Sequence, residues 1–275
     1  VTQHTAPQIV RRLFQWAVVA AVAVTGYRAA MGWTLSSVET YCPFGGLETA
    51  YAFFTRQRFT CATGELNFTL FLALLGLTFV ARKSFCSWVC PFGTVSEWMA
   101  ALGRKIFRKS RKDADGRPLQ LLEPPRAWDA ALRWLRLPVL CATLFFTFKT
   151  GELIFRGYDP YYILFSYHGH DVKWWSYLIL GGLLGAAVLV PMAWCRYLCP
   201  LGVALWPLSA LGRARLKREE STCTSCGACD RACPHSIDVS RVEQVRSGEC
   251  TLCLECSCAC PVPGTLELHL EGLKR

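Results

Sequence analysis

No Gly-x-Gly-x-x-Gly turn, phosphate-binding loop, Ser-His-Asp grouping or His-Glu-x-x-His sequence occurs in the 275 residues, so neither nucleotide binding nor hydrolysis has residues to carry it. Acidic side chains are scarce as well: 20 Asp and Glu stand against 30 Lys and Arg, a net charge of +10. The N-terminal region shows no charged leader followed by a short apolar stretch and a small-residue cleavage site. Its first apolar segment is long enough to stay as an anchor, and it is expected to be retained.

Apolar residues, in contrast, are abundant and come in long blocks. They make up 52% of the chain, and the mean hydropathy is +0.26, a distribution that points to a membrane protein. A spanning helix needs about 20 residues, and Leu13 to Trp33, Leu66 to Trp88 and Trp174 to Trp194 each reach that length. Leu137 to Phe148 is shorter. It spans only if Arg133 and Arg136 snorkel and the helix runs on past Lys149 toward Phe155. With four spans, 24 of the 30 basic residues fall on one side, in the Arg82–Arg136 segment, the tail from Cys195 and the Arg11–Arg12 pair. Positive charge marks the cytoplasmic face, so both termini are expected inside. The basic excess is therefore topogenic, with membrane lipid as its partner and no nucleic acid. Residues 104 to 129, with charge runs, Asp-Gly and Pro-Pro, read as an irregular cytoplasmic connector.

Of 16 cysteines, 13 lie in two CxxxC pairs or in a short C-terminal stretch. Tight repeats in a chain with spanning helices favour metal ligation over a disulfide scaffold. CTSCGACDRACP (223–234) and CTLCLECSCACP (250–261) both follow C-x2-C-x2-C-x3-C-P. In such runs three close thiolates hold one [4Fe-4S] cube and the fourth cysteine ligates the other cluster. The spacing assigns Cys223, Cys226, Cys229 and Cys260 to one cluster and Cys250, Cys253, Cys256 and Cys233 to a second. Paired four-cysteine zinc sites are the alternative, but zinc does not call for the fourth cysteine and proline in both copies. Cys258 reads as a spare buried thiol.

The chain also appears twice over. A helix, an outer segment, a second helix and FCSWVCPFG are followed by a helix, an outer segment, a helix and WCRYLCPLG. Two spans per unit make the copies parallel, related by an axis along the membrane normal. Cys86 and Cys90, like Cys195 and Cys199, stand at i and i+4, on one face if the segment is helical. Four thiolates meeting across that axis form a third iron-sulfur centre; redox-cycling dithiols or plain packing are the other readings. On the outer face Cys42 and Cys61 are expected to form a disulfide, and the counterpart of Cys42 in the second copy is Asp159. Cys141 reads as a small apolar side chain. His168, His170 and Asp171 beside Trp174 and Trp175 read as an ordinary interfacial belt.

These motifs together resemble the membrane polyferredoxins of the NapH type, related to the C-terminal half of NosR and to MauN, over nearly the whole chain. YCPFGG with Cys42 and Cys61 departs from the nitrate-reductase member. The expected fold is mainly α: a four-helix transmembrane bundle of two parallel two-helix repeats (1–212), followed by a cytoplasmic bacterial-type 2[4Fe-4S] ferredoxin domain (213–275). The resemblance implies a multi-pass inner-membrane electron-transfer protein linking the quinone pool or a cytoplasmic donor to a periplasmic redox protein, a redox subunit rather than a stand-alone enzyme, with quinol oxidation as the activity it would support. The alternative is an assembly or regulatory factor for a periplasmic metalloenzyme or quinoprotein dehydrogenase.

Overall fold

The computed structural model describes residues 6–33, 42–56, 64–107, 124–150, 157–167 and 172–271. The helices are α1 (Ala6–Ala30), α2 (Pro43–Arg56), α3 (Gly64–Ala81), α4 (Ser84–Trp88), α5 (Pro91–Phe107), α6 (Arg126–Arg133), α7 (Arg136–Thr150), α8 (Pro160–Phe165), α9 (Trp174–Leu189), α10 (Ala193–Tyr197), α11 (Pro200–Ala204), α12 (Trp206–Leu211), α13 (Ala228–Ala232) and α14 (Glu255–Ala259). Two strands, β1 (Ala214–Arg218) and β2 (Leu266–Leu270), complete the described secondary structure apart from one 3₁₀ turn at Val239–Arg241.

Two stretches, Ala6–Ala30 and Ala127–Lys149, are long and apolar enough to cross a membrane by length and composition. The helices α3 and α9 are apolar but stop at Ala81 and Leu189, short of the expected Trp88 and Trp194. One cause is tertiary and the other local. Arg82 takes a left-handed conformation (φ 56°) while its guanidinium reaches backbone carbonyls. Val190 is forced extended by Pro191, whose ring excludes the helical region for the residue before it. The stretch around Leu137–Phe148 reaches spanning length on its N-terminal side, because α6 and α7 run together through a tight turn closed by Trp134 N–H to Ala131 C=O and Leu137 N–H to Trp134 C=O (3.1 and 3.0 Å). The connector expected over 104–129 is helical at both ends, to Phe107 and from Arg126; 108–123 lie outside the described residues. Sequence reasoning also missed α2 and α8, helices within segments read as outer loops.

The chain divides into two compact units that do not follow chain order. One comprises Val1–Ala17, Leu75–Thr94 and Leu205–Arg275. In it β1 pairs antiparallel with β2, Ala214 opposite Leu270 through Arg218 opposite Leu266, and α13 packs on α14. The core is Leu216, Val239, Val245, Leu252 and Leu266 together with Ala214 and the cysteines Cys229, Cys250 and Cys256. A tail this short supports few apolar contacts, and domains of this size normally need a metal or disulfide staple. Arg213 ties the tail to the end of α3, its N–H donating to the Phe79 carbonyl (3.1 Å).

The other unit, Val18–Leu74 and Val95–Ala204, holds α7 against α2 and α11, and α9 against α8 and α10. Its helices approach closely where glycine permits. A Cβ on Gly46 would stand 2.7 Å from the Asn67 carbonyl, and one on Gly103 would stand 2.1 Å from that of Val188.

Candidate functional site

The two cysteine runs of the tail build two small hollows. Cys223, Cys226, Cys229 and Cys260 line the first, and Cys233, Cys250, Cys253 and Cys256 line the second. Each quartet thus draws three thiols from one run and the fourth from the other. Cys258 lines neither hollow and is half-buried.

Backbone geometry explains how the loops aim their sulfurs. Ser225 and Gly227 flank Cys226 with φ of 52° and 65°; Leu252 and Leu254 flank Cys253 with 48° and 61°. Alternating left- and right-handed residues turn successive N–H groups inward and create an anion-binding nest. A leucine held left-handed costs on the order of 1–3 kcal/mol, which persists only where the surroundings impose it. Here the imposing feature is the thiol: backbone N–H groups of Ser225, Ala228, Leu252 and Glu255 bond the sulfurs of Cys223, Cys226, Cys250 and Cys253 respectively.

The quartets differ in setting. All four cysteines of the second are buried, whereas in the first Cys226 is exposed and Cys223 and Cys260 are half-buried. Backbone donors, with Arg218 beside Cys223, hold the Cys223 and Cys226 thiols below the usual thiol range. Burial pushes Cys250, Cys253 and Cys256 up, and Cys229 to about 11. The donor set fits a cluster better than single ions. Zinc gathers its sulfurs to within about 2.3 Å of one point, while among the described residues no three Cys, His, Asp or Glu side chains are grouped to hold one metal ion. The cysteines instead surround a space.

The CxxxCP motifs share one local backbone. A five-residue helix carries the first cysteine, and both following residues donate to a single carbonyl: Val89 and Cys90 to Phe85 (2.9 and 2.8 Å), Leu198 and Cys199 to Trp194 (2.9 and 2.9 Å). The helix therefore ends between the two cysteines rather than carrying both on one face, and Pro91 or Pro200 starts the next one. Gly93 N–H donates to Cys90 Sγ (3.4 Å). A Cβ on Gly93 would stand 2.2 Å from the Cys86 carbonyl; on Gly202, the matching glycine, it would stand 3.3 Å from that of Cys195. Gly93→Ala should thus destabilise the first motif by about 1–3 kcal/mol through overpacking, while Gly202→Ala costs less. Thermal unfolding of the two variants side by side checks the order. Cys86 and Cys90 belong to the unit that holds the tail, and Cys195 and Cys199 to the other.

Cys42 carries a thiol that donates to Asp159 Oδ2 (3.3 Å). Asp159 in turn caps α8, accepting from Tyr161 N–H (3.1 Å), and Glu48 nearby accepts from Thr147 Oγ1 (2.9 Å). Cys61, the expected partner of Cys42, lies outside the described residues, as do His168, His170 and Asp171. Cys141 sits on an exposed face of α7.

A family described as "4Fe-4S binding domain" matches residues 63–110 and again 172–219, segments that hold the two CxxxCP motifs rather than the tail's cysteine runs. YccM of Escherichia coli, whose name marks it provisionally as an electron transport protein, is 31% identical over 85% of this chain and 64% of its own length. An uncharacterized protein of Methanocaldococcus jannaschii is 30% identical over 69% of this chain and 73% of its own. The methylamine utilization ferredoxin-type protein MauN of Methylobacillus flagellatus is 28% identical over 65% and 60%. The chain thus spans less than two thirds of the length of two of these three relatives. No solved structure matches. Since the repeated 4Fe-4S segments coincide with the motifs, and the ferredoxin-type NapH and the regulatory protein NosR match alongside MauN, the chain belongs to the NapH/NosR/MauN-like polyferredoxins.

Proposed function

We propose that the chain is a membrane electron carrier in which Cys223, Cys226, Cys229 and Cys260 hold one [4Fe-4S] cluster and Cys250, Cys253, Cys256 and Cys233 hold another. The observation that carries this is the exchange of fourth cysteines between the two hollows. A bound cluster supplies one-electron storage and transfer. The chain's own residues fix the sulfurs, aim backbone N–H groups at them, and set one quartet in a drier environment than the other.

Cys86, Cys90, Cys195 and Cys199 supply a further iron-sulfur centre. Support comes from the family match, whose two segments are centred on those cysteines. Four spans, α1, α3, α7 and α9, form two parallel two-helix repeats with the motifs and both termini on the cytoplasmic side, in keeping with the distribution of Lys and Arg. Exposed apolar side chains on these helices, Val24, Phe145, Phe146 and Leu178 among them, suit contact with lipid. In this setting the carrier links the quinone pool or a cytoplasmic donor to a periplasmic redox protein.

Iron counting on anaerobic preparations tests the reading. Wild type should hold about twelve iron atoms and Cys86→Ser/Cys195→Ser about eight. A wild-type value of about eight, unchanged in the variant, would exclude the further centre. The regulatory name of NosR favours a second reading, a regulatory or assembly factor for a periplasmic enzyme rather than a carrier. A knockout separates the two: the carrier leaves the partner enzyme complete but without electrons, whereas the regulatory or assembly factor leaves it without cofactor or processing.

A further inference from the structure

An arginine stands where the tail's core calls for an apolar side chain. Along β1 the inward positions alternate with outward ones, and the chain fills them with Ala214, Leu216 and Arg218, all buried. An arginine is rarely buried so far unless its charge finds a partner. The backbone holds this one in place, opposite Leu266 of β2 and with its N–H on the Glu243 carbonyl (2.7 Å). The guanidinium is then fixed by three groups. Nε donates to the Val242 carbonyl (3.1 Å), and Nη2 pairs with Glu220 (2.7 Å). The third is the Cys223 thiol, beside which the guanidinium stands as it lines the first hollow. Glu220 is 71% exposed, so water screens it and it offsets the cation only in part.

The second hollow has an apolar side chain at the matching place. Arg218 stands five residues before Cys223, the first cysteine of its run; five residues before Cys250 stands Val245, which is buried and lines the second hollow. Among the described residues that line that hollow there is no Arg or Lys. Cations of the surrounding segments are engaged with other groups: Lys83 with Glu249, Arg11 with Glu255, and Arg82 with the carbonyls of Val245 and Ser247. The charge difference matters for a redox site. A cluster gains one negative charge on reduction, so a fixed cation beside a ligand sulfur favours the reduced form, and the more so where water is scarce. Charge and hydrogen bonds at the sulfurs are among the levers that spread the potentials of such clusters.

We propose that Arg218 raises the electron affinity of the cluster held by Cys223, Cys226, Cys229 and Cys260 and leaves that of the second quartet untouched, so that one side chain makes two like sites unequal. The effect rests on the reading of the first quartet as a cluster site. One electron enters per cluster, supplied by dithionite in the test, and no bond forms or breaks. Arg218 is a positioning residue that acts through Cys223 and is not itself a ligand.

Potentiometric titration of the anaerobically purified full chain, followed by electron paramagnetic resonance, tests this role. Arg218→Leu restores the apolar alternation of β1. It should weaken electron uptake by the first cluster about tenfold, a fall of about 59 mV for one electron, with the second cluster's potential and the iron content unchanged. Arg218→Lys keeps the charge and should recover part of the fall. Glu220→Gln removes the opposing charge and should move the same potential upward, by a smaller step because the carboxylate is exposed. The first cluster is read alone in Cys253→Ser and the second alone in Cys226→Ser; where either fails to fold, voltammetry of the chain with both quartets intact should show one wave shifting and the other fixed. Should Arg218→Leu lose iron, Glu220→Gln decides, since a merely structural arginine predicts no rise there. Equal shifts of both clusters, no shift at full iron content, or shifts of one sign in Arg218→Leu and Glu220→Gln overturn the role of Arg218 alone. Iron content that does not fall in Cys226→Ser overturns it together with the cluster site, and the iron count tells the two failures apart.

Discussion

Cys253→Ser is expected to remove about four iron atoms per chain, the content of one cubane, and to abolish one of the two tail signals in electron paramagnetic resonance. Three features make this cysteine the sharpest choice. It is buried in the second hollow, it accepts the Glu255 N–H, and it sits between the left-handed residues Leu252 and Leu254. A serine hydroxyl is a harder, poorer iron ligand than a thiolate, and nothing else in that loop can take its place: Cys258, the nearest additional thiol, lines neither hollow. Cys258→Ser is the matched control, and its iron content should stay at the wild-type value. Iron and acid-labile sulfide assays on the two variants decide the matter. Equal iron in both, or loss only in Cys258→Ser, would break the ligand assignment.

The quartets were legible because C-x2-C-x2-C-x3-C-P is a spacing with few alternative uses, and its logic is local: three sulfurs within one loop and a fourth swung across. The nests were not legible. Nothing about Leu252 or Leu254 announces a left-handed backbone, since a leucine adopts it only when the surroundings impose it. Helix ends were misjudged for a related reason. Hydropathy carries a span on to Trp88, but Arg82 turns the chain to satisfy carbonyls in a segment more than 160 positions later, a tertiary cause that periodicity does not contain. The direct hydrogen bond between Cys42 and Asp159 could not be read from the sequence.

Lys83→Met should cost about 3–5 kcal/mol of stability, because it removes one partner of a buried ion pair. Lys83 Nζ lies 3.1 Å from Glu249 Oε2, and the two side chains are only 4% and 7% exposed, so water cannot take over from the lost ammonium. The methionine keeps the length of the stem, and the defect is therefore electrical rather than a cavity. Glu249 immediately precedes Cys250, so the strain falls on the second quartet and on the segment whose Thr251 and Leu252 carbonyls accept from Ser87 and Trp88. Denaturant titration of the intact protein should show the loss, with iron leaving the second quartet at lower denaturant than the first. Lys83→Met/Glu249→Leu should recover most of the stability, since replacing both members of a buried pair with apolar groups is often close to neutral. Two single-substitution losses that simply add in the double variant would mean that the pair is not coupled, and the tail would have to be held to the first motif by its backbone acceptors alone.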